Sequence, residues 1–185
     1  MTPKFYIIRH GDSDSNDHVS PLNERGKMQA ERLAEFLSNF TKFEDDIIIS
    51  SPFLRASETA AILTARTDQT FCTDKRLEER NIGDYQGNDL WGALKNHFKD
   101  MEHKFPNGES NGEVLSRVNS LMEELKNSNH QNIFLITHRF TMMLLFNELD
   151  KNFDFDKGSL ITNPDVYEIN SINGETAIKR LWNEK

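Results

Sequence analysis

Short apolar runs alternate along this chain with longer segments in which apolar residues recur at helical spacing. The runs are Phe5–Ile8, Asp46–Ser50 and Ile133–Thr137, and a helix-period segment follows each of them. Such alternation is typical of α/β proteins, in which strands pair in parallel and the connecting helices cover the sheet. The sequence therefore predicts an α/β fold, a three-layer sandwich with a mainly parallel central sheet flanked by helices.

The segment after the second run carries helix and strand signals of different strength. Ser51 and Pro52 are a candidate N-cap and first helical residue, which predicts a helix that runs to about Arg66. Thr70–Cys72 has a weaker strand pattern. Leu77–Gly87 shows no period, so we expect an irregular segment there.

The second half of the chain predicts two helices and a hairpin. Ser110–Glu113 has the form of a capping box, and Met142–Phe146 is apolar on all sides, as in a deeply packed helix. Val166–Ile172 and Thr176–Trp182 flank Asn173-Gly174, which suits the two positive φ angles of a type I′ turn. These segments predict a C-terminal hairpin at one edge of the sheet.

Size and composition limit the class of protein. The length of 185 residues fits a typical domain of ~150 residues, so we expect a single domain over residues 1–185. A formal net charge of −8 argues against charge-driven binding to nucleic acid or to an anionic membrane. The sole cysteine, Cys72, excludes an internal disulfide. No apolar stretch has the length of a signal peptide or a membrane span, which predicts a cytoplasmic protein.

Residues that can do chemistry follow three of the predicted strands. Arg9 and His10 follow the run Phe5–Ile8, and Arg55 lies shortly after Asp46–Ser50. His138 follows Ile133–Thr137, the fourth predicted strand. Because the carboxyl ends of parallel strands meet at one edge of the sheet, we expect these side chains to share a pocket. A neutral imidazole can attack phosphorus, and arginine forks match phosphate oxygens. The arginines would supply the positive charge, so we expect no metal and no other cofactor.

Four ordered segments carry a more specific pattern: Arg9–Asn16, Leu22–Ala30, Ser51–Ala60 and Leu77–Gly87. Each resembles a signature block of the histidine phosphatase superfamily, also called the phosphoglycerate mutase-like family. Together with the segment around His138 they cover most of the chain. Chance agreement of several ordered blocks is far rarer than that of one short motif.

The resemblance implies a role for each matching residue. It implies that His10 becomes the phosphohistidine and that Arg9, Arg55 and His138 bind the phosphoryl oxygens. It also implies that Asn16 joins them as a substrate-binding residue. The phosphoryl group would then be held by side chains from three separate parts of the chain.

The fourth segment resembles the part of the family that carries the catalytic acid. The matching residue is Glu79, which is expected to protonate the leaving oxygen and then to activate water. Its neighbour Glu78 is the alternative. One group can serve as acid and then as base because the two half-reactions need opposite proton transfers.

Two further residues are expected to contact substrate. Gly11 belongs to the first signature block and is predicted to bind substrate. Arg139 departs from the family pattern, because the family usually has glycine after the second histidine. A side chain there either removes a backbone contact to phosphate, contacts the substrate with its guanidinium, or points to solvent. The sequence leaves these three alternatives open.

A phosphomonoesterase is the function these residues favour. One alternative is a phosphomutase, which we expect to be longer than this chain because added segments shield its phosphoenzyme from water. The other is a non-catalytic phosphate-binding module, which would need neither His10 nor Glu79. The expected partner is a small-molecule phosphate ester, with a phosphoprotein as the alternative. The oligomeric state stays open.

Other residues near these blocks allow two interpretations. Trp91 and Phe98 could line the mouth of the pocket or pack against the sheet. His18, His97 and His130 have no metal-ligand spacing with one another, and we assign them no role.

Overall fold

The protein has one six-stranded sheet in the computed structural model, which describes residues 3–40, 46–172 and 175–183. The strands are β1 (Lys4–Arg9), β2 (Ile47–Ser50), β3 (Cys72–Thr73), β4 (Asn132–Thr137), β5 (Asp165–Ile172) and β6 (Glu175–Asn183). Their order across the sheet is β3-β2-β4-β1-β5-β6. The pairs from β3 to β1 are parallel, and β5 and β6 are antiparallel. The predicted α/β fold with a mainly parallel sheet is confirmed.

Helices connect the strands and cover both faces of the sheet. They are α1 (Glu24–Phe40), α2 (Leu54–Thr67), α3 (Leu90–Asn96), α4 (Asn111–Lys126), α5 (Arg139–Leu149) and α6 (Phe155–Ser159), with a short 3₁₀ helix at Lys75–Leu77. In β1, Tyr6 and Ile8 pack with α1 and α2, whereas Phe5 and Ile7 pack with α4 and α5. The two cores lie on opposite sides of the sheet because successive side chains of a strand alternate. Three layers result, as the sequence predicts.

The start of α2 differs from the prediction. The helix begins at Leu54 with Phe53 as N-cap, and no side chain caps it. Ser51 is therefore not the N-cap, and its hydroxyl accepts hydrogen bonds outside the helix. The third strand also lies further along the chain, at Cys72–Thr73 rather than Thr70–Cys72, because only these residues pair with the end of β2.

Several other predicted elements are confirmed. Ser110 caps α4, and its capping box is complete, with the hydroxyl accepting from Glu113 N (3.2 Å) and the Glu113 carboxylate accepting from Ser110 N (2.7 Å). The hairpin of β5 and β6 forms one edge of the sheet, while its predicted turn at Asn173-Gly174 lies outside the described residues. In the described ranges, no helix combines the length and apolar character needed to cross a membrane. The assignment of residues 1–185 to one domain stays a prediction.

Candidate active site

The sheet register brings the predicted site residues together. Arg9 pairs with Thr137 across the parallel ladder of β1 and β4, so the next residues, His10 and His138, leave the sheet side by side. Their rings lie 4.9 Å apart between centroids. Arg55 reaches the same edge from the first turn of α2, which follows β2. The clustering that the sequence predicts at this edge therefore follows from strand pairing.

A cavity of about 940 Å³ opens at this edge. The predicted residues that line it are Arg9, His10, Asn16, Arg55, Glu78, Glu79 and Arg139. A volume of this size is at the upper end of the ~300–1,000 Å³ typical of small-molecule sites. The cavity is therefore large enough for a phosphorylated metabolite and not only for phosphate.

The imidazole of His10 is held in a defined tautomer. Its Nδ1 lies 2.6 Å from the carbonyl oxygen of Gly11, which can only accept, so Nδ1 carries the proton. Nε2 then keeps its lone pair and accepts a hydrogen bond from Nε of Arg55 at 3.0 Å. Burial, together with the charges of Arg9 and Arg55, lowers the pKa of His10 well below its ordinary value. The ring is neutral at neutral pH, and its free lone pair lies on Nε2.

Arg55 is almost fully buried and its guanidinium is fixed by four neighbours. Besides His10 Nε2, it donates through Nη1 to the carbonyl oxygens of Asn16 (3.3 Å) and Asp17 (2.8 Å) and through Nη2 to His138 Nδ1 (3.2 Å). Each of these Arg55 N–H groups donates to an acceptor within the protein. The planar charge of Arg55 is therefore preorganised directly beside Nε2 of His10.

His138 lies behind Arg55 and not on the cavity wall. Since a guanidinium can only donate, His138 Nδ1 accepts, and the remaining ring proton sits on Nε2 and is donated to Ser51 Oγ at 2.8 Å. Burial, with His10 and Arg55 nearby, lowers the pKa of His138 well below its ordinary value. In this structure His138 is a buried neutral ring that orients Arg55.

Arg9 contributes a second charge to the cavity. Its Nη1 donates to the carbonyl oxygen of Ile161 at 2.8 Å, whereas its buried Nε has no hydrogen-bond partner within the described residues. Burial and the nearby charge of Arg139 lower the pKa of Arg9 to about 9. It still carries its charge at neutral pH, with donor capacity that the protein does not use.

Glu79 is anchored at the N-terminus of α5. Its Oε1 accepts from Arg80 N (3.0 Å) and Thr141 N (2.9 Å), and its Oε2 accepts from Phe140 N (3.0 Å). The hydroxyl proton of Thr141 is shared between Oε1 (3.0 Å) and the carbonyl oxygen of Glu78 (2.9 Å). Helix N-termini favour negative charge because their first N–H groups have no partner within the helix. Because α5 begins directly after His138, the same turn of chain positions both residues. Glu78 lines the cavity as well.

Gly11 does not contact the cavity, contrary to its predicted substrate-binding role. Its N–H donates to Thr59 Oγ1 at 3.1 Å, and its carbonyl oxygen accepts from His10. A Cβ at this position would lie 2.6 Å from the carbonyl oxygen of Gly26, so no larger residue fits. The structure gives Gly11 a different task, which is to orient the imidazole. The side chain of Asn16 is exposed at the cavity wall, and its carbonyl holds Arg55.

Arg139 is half-buried in the cavity wall, which excludes the alternative that it only points to solvent. Its guanidinium carbon lies 4.5 Å from the centroid of the Trp91 ring. Trp91 lines the cavity mouth, whereas Phe98 is buried in the core. Of the two interpretations of these aromatic residues, lining the cavity mouth is correct for Trp91 and packing in the core is correct for Phe98.

Several residues of the site are not predicted from the sequence. Ser51, Thr59 and Arg80 are buried polar side chains, and Arg80 also lines the cavity. Ser51 carries the clearest signal, because it directly follows β2 at the edge where the catalytic candidates gather. The bonds made by Thr59 and Arg80 join distant segments, so no local pattern reveals them.

One cluster lies apart from the cavity-lining residues. His97, Asp100 and His103 each place a ligand atom within 4.8 Å of the others, and the two imidazoles stack at 3.5 Å. The spacing of His97 and His103 in the sequence does not predict this cluster. None of the three residues lines the catalytic cavity.

Comparisons with known proteins identify the family of this chain. The family model for the histidine phosphatase superfamily (branch 1) matches residues 5–184. A protein of Hydrogenobacter thermophilus whose name includes phosphoserine phosphatase is 33% identical over 155 residues, or 75% of this chain and 74% of its own length. The glucosyl-3-phosphoglycerate phosphatase of Mycobacterium tuberculosis is 32% identical over 136 residues, or 66% of this chain and 60% of its own length.

Solved structures lead to the same group of proteins. The mycobacterial glucosyl-3-phosphoglycerate phosphatase in complex with VO₃ superposes with a TM-score of 0.80 at 26% identity. The match covers 99% of this chain and 100% of the other. With a family match over nearly the whole chain and the same fold throughout, this protein belongs to the histidine phosphatase superfamily, branch 1.

Proposed function

We propose that this protein hydrolyses phosphate monoesters through a phosphohistidine formed on Nε2 of His10. The observation that carries the proposal is the tautomer of His10, whose Nδ1 proton is held by Gly11 while Nε2 faces Arg55. Named phosphatases among the relatives support hydrolysis as the reaction type.

In the first half-reaction, the phosphoryl group lies between His10 and the charges of Arg9 and Arg55. The Nε2 lone pair of His10 attacks phosphorus in line as the bond from phosphorus to the ester oxygen breaks. Arg55 Nε, which donates to Nε2 in this structure, turns its hydrogen bond to a phosphoryl oxygen at this step. Asn16 is proposed to add a hydrogen bond to a phosphoryl oxygen. Contrary to the sequence prediction, His138 does not contact phosphate, because its Nδ1 accepts from Arg55 and its Nε2 donates to Ser51; its proposed role is to hold Arg55 in place. Positioning and charge neutralisation supply most of the catalysis.

Glu79 is the proposed acid of the first step and the base of the second. Its protonated carboxyl gives a proton to the leaving oxygen, because an alkoxide is a poor leaving group. In the second half-reaction the carboxylate takes a proton from water as the water oxygen attacks phosphorus. The bond to His10 breaks, and its electron pair returns to Nε2. Three hydrogen bonds from the start of α5 and one from Arg80 N stabilise the carboxylate between the two steps.

The proposed substrate is a small phosphate ester. Relatives are named for phosphoserine and for glucosyl-3-phosphoglycerate, both of which are small phosphorylated molecules. The cavity of about 940 Å³ accommodates a molecule of that size. The positive charges of the arginines neutralise the negative charge of the phosphate, so we propose no metal and no other cofactor. A cytoplasmic location stays a prediction of the sequence.

A phosphate-release assay tests the proposal. A panel of phosphate esters is incubated with the wild type, with His10→Ala and with His130→Ala, and phosphate and alcohol are both measured. We expect the wild type and His130→Ala, which alters a histidine outside the cavity, to release both products in equal amounts. His10→Ala should be inactive. Transfer of the phosphoryl group to a second hydroxyl of the ester, without free phosphate, would contradict hydrolysis and support a mutase.

A further inference from the structure

The guanidinium of Arg139 lacks the hydrogen bonds that its position calls for. It is half-buried in the cavity wall, and within residues 3–40, 46–172 and 175–183 it makes a ring contact but no hydrogen bond or ion pair. A guanidinium offers five N–H donors, and removing it partly from water without a partner is costly. A ligand that carries negative charge would relieve that cost.

Other arginines of the same cavity are engaged by the protein. Arg55 donates to four residues around the nucleophile. Arg80 donates to the carbonyl oxygens of Glu109 and His103 and to Asn111 Oδ1. Arg139 differs from both because its donors are turned to no protein acceptor in the described parts of the chain. Its charge is available to a ligand.

Arg139 shares the cavity wall with His10 and Arg9, and its guanidinium contacts Trp91, which is exposed at the cavity mouth. It lines the main cavity and also a smaller adjoining one of about 280 Å³, which Arg9 and Thr162 line as well. Its charge is close enough to lower the pKa of Arg9. Two neighbouring cations repel; the carboxylate of Glu79 offsets part of this repulsion, and a ligand anion beside the two arginines would offset more of it.

The Trp91 ring contacts this guanidinium and restricts its position. The stacking distance of 4.5 Å is within the range of a cation–π contact, and the tryptophan itself is exposed at the mouth. A stacked guanidinium still presents its edge, which is the part that binds carboxylate or phosphate with two parallel hydrogen bonds. The pair is thus preorganised for a planar or tetrahedral anion.

We propose that Arg139 and Trp91 form a second-anion subsite, and that the preferred substrates are phosphate esters bearing a further carboxylate or phosphate. Arg139 binds this second anion while His10 receives the phosphoryl group. The inference rests on the proposed function and narrows its substrate class. The competing interpretation is that Arg139 contacts the transferred phosphoryl group itself, in which case every ester would depend on it equally.

Matched esters that differ by one charge distinguish the two interpretations. The probes are 2-phosphoglycolate and 3-phosphooxypropanoate, each beside its neutral primary amide, with propane-1,3-diyl bisphosphate as the arm for a second phosphate. The wild type should prefer at least one ester that carries a second anionic group over its amide counterpart, in which the phosphate is the only anionic group, by about tenfold or more in kcat/KM, as expected for a charge-assisted hydrogen bond. The carboxylate and bisphosphate arms show which anion the subsite favours.

Variants test whether the preference for a second anionic group depends on Arg139. In Arg139→Gln, kcat/KM for the ester with a second anionic group should fall about tenfold more than kcat/KM for its amide counterpart, mostly through a higher KM. Trp91→Leu should reduce the preference less, because it removes orientation but keeps the charge. Arg66→Gln is the matched control, since it removes an exposed positive charge that pairs with Glu31 and does not line the cavity. It should keep the wild-type preference.

The same esters titrated into His10→Ala measure binding without turnover, which separates this inference from the proposed function. If His10→Ala binds the ester with a second anionic group more tightly than its amide counterpart, and the wild type turns over neither, the proposed function is refuted and the subsite is supported. Turnover of all esters with equal kcat/KM, or equal losses for both members of a pair in Arg139→Gln, would refute the subsite.

Discussion

Glu79→Gln should reveal two separate effects, one on stability and one on chemistry. The carboxylate oxygens accept four hydrogen bonds, three on Oε1 and one, from Phe140 N, on Oε2. A glutamine amide has one acceptor oxygen, so in its better orientation an NH₂ group still faces the N–H of Phe140. Leaving that donor unpaired and removing a charge from the start of α5 should lower the unfolding free energy by about 2 kcal/mol.

Thermal unfolding measures the first effect. For a protein of this size, a loss of about 2 kcal/mol lowers Tm by roughly 4–8 °C. Glu78→Gln is the matched control, because it makes the same chemical change one residue away on the same cavity wall. We expect it to change stability by no more than about 0.5 kcal/mol. Equal Tm values for Glu79→Gln and the wild type would refute the anchoring role derived from the four hydrogen bonds.

Single-turnover phosphorylation measures the chemical effect. Without an acid, an alkoxide leaves poorly, so Glu79→Gln should slow enzyme phosphorylation by an alkyl phosphate about 10²–10⁴-fold. An activated aryl ester loses a stable phenolate, so its phosphorylation step should slow by less than about tenfold. Equal losses for the two esters in Glu79→Gln, or a larger alkyl defect in Glu78→Gln, would remove Glu79 from the acid role.

Further predictions follow from the buried histidines and from the source of the positive charge. Ser51→Ala removes the acceptor of the His138 Nε2 proton, and we expect a loss of roughly 1–3 kcal/mol in denaturant unfolding together with reduced kcat/KM; unchanged values for both would contradict the assigned tautomer. Because the pKa values of His10 and His138 are lowered on folding, the unfolded chain binds more protons, so the unfolding free energy should fall as the pH drops below about 6.5. His10 also keeps its lone pair at those pH values, so kcat/KM corrected for substrate ionisation should stay level through pH 6.5, and a decline that begins at or above the ordinary imidazole pKa would contradict the burial argument. Dialysis against EDTA should leave the initial rate unchanged, whereas a loss that one divalent ion restores would show that metal is required.

Much of the site could be predicted from sequence because it depends on where strands end. Arg9, His10 and His138 directly follow apolar runs of strand length, and parallel pairing brings such positions together whatever the loops do. The family blocks added Glu79, which no periodicity indicates. The fold class was predictable because a strand that is buried on both faces is apolar throughout, and such runs are visible in the sequence.

The errors concern side chains whose partners lie far away in the chain. Ser51 has the residue type and position of an N-cap, but its hydroxyl pairs with His138, which lies 87 residues away. Gly11 belongs to a phosphate-binding signature, yet its N–H is taken by Thr59, which lies 48 residues away. Local pattern gives the residue type, and tertiary packing decides which of several hydrogen bonds that residue makes. The stacking of Arg139 on Trp91 is a third contact of this kind.

The central claim is that Nε2 of His10 is the nucleophile, and the isomer of the trapped phosphohistidine tests it most directly. The wild type is mixed with a ³²P-labelled ester, quenched in alkali within one turnover, digested, and the labelled amino acid is identified. The Nδ1 proton held by Gly11 predicts a label that is stable to alkali, labile to acid, located on His10 and bonded through Nε2. Label on Nδ1, label on a serine or a carboxylate, or an unlabelled protein during active turnover would contradict the mechanism.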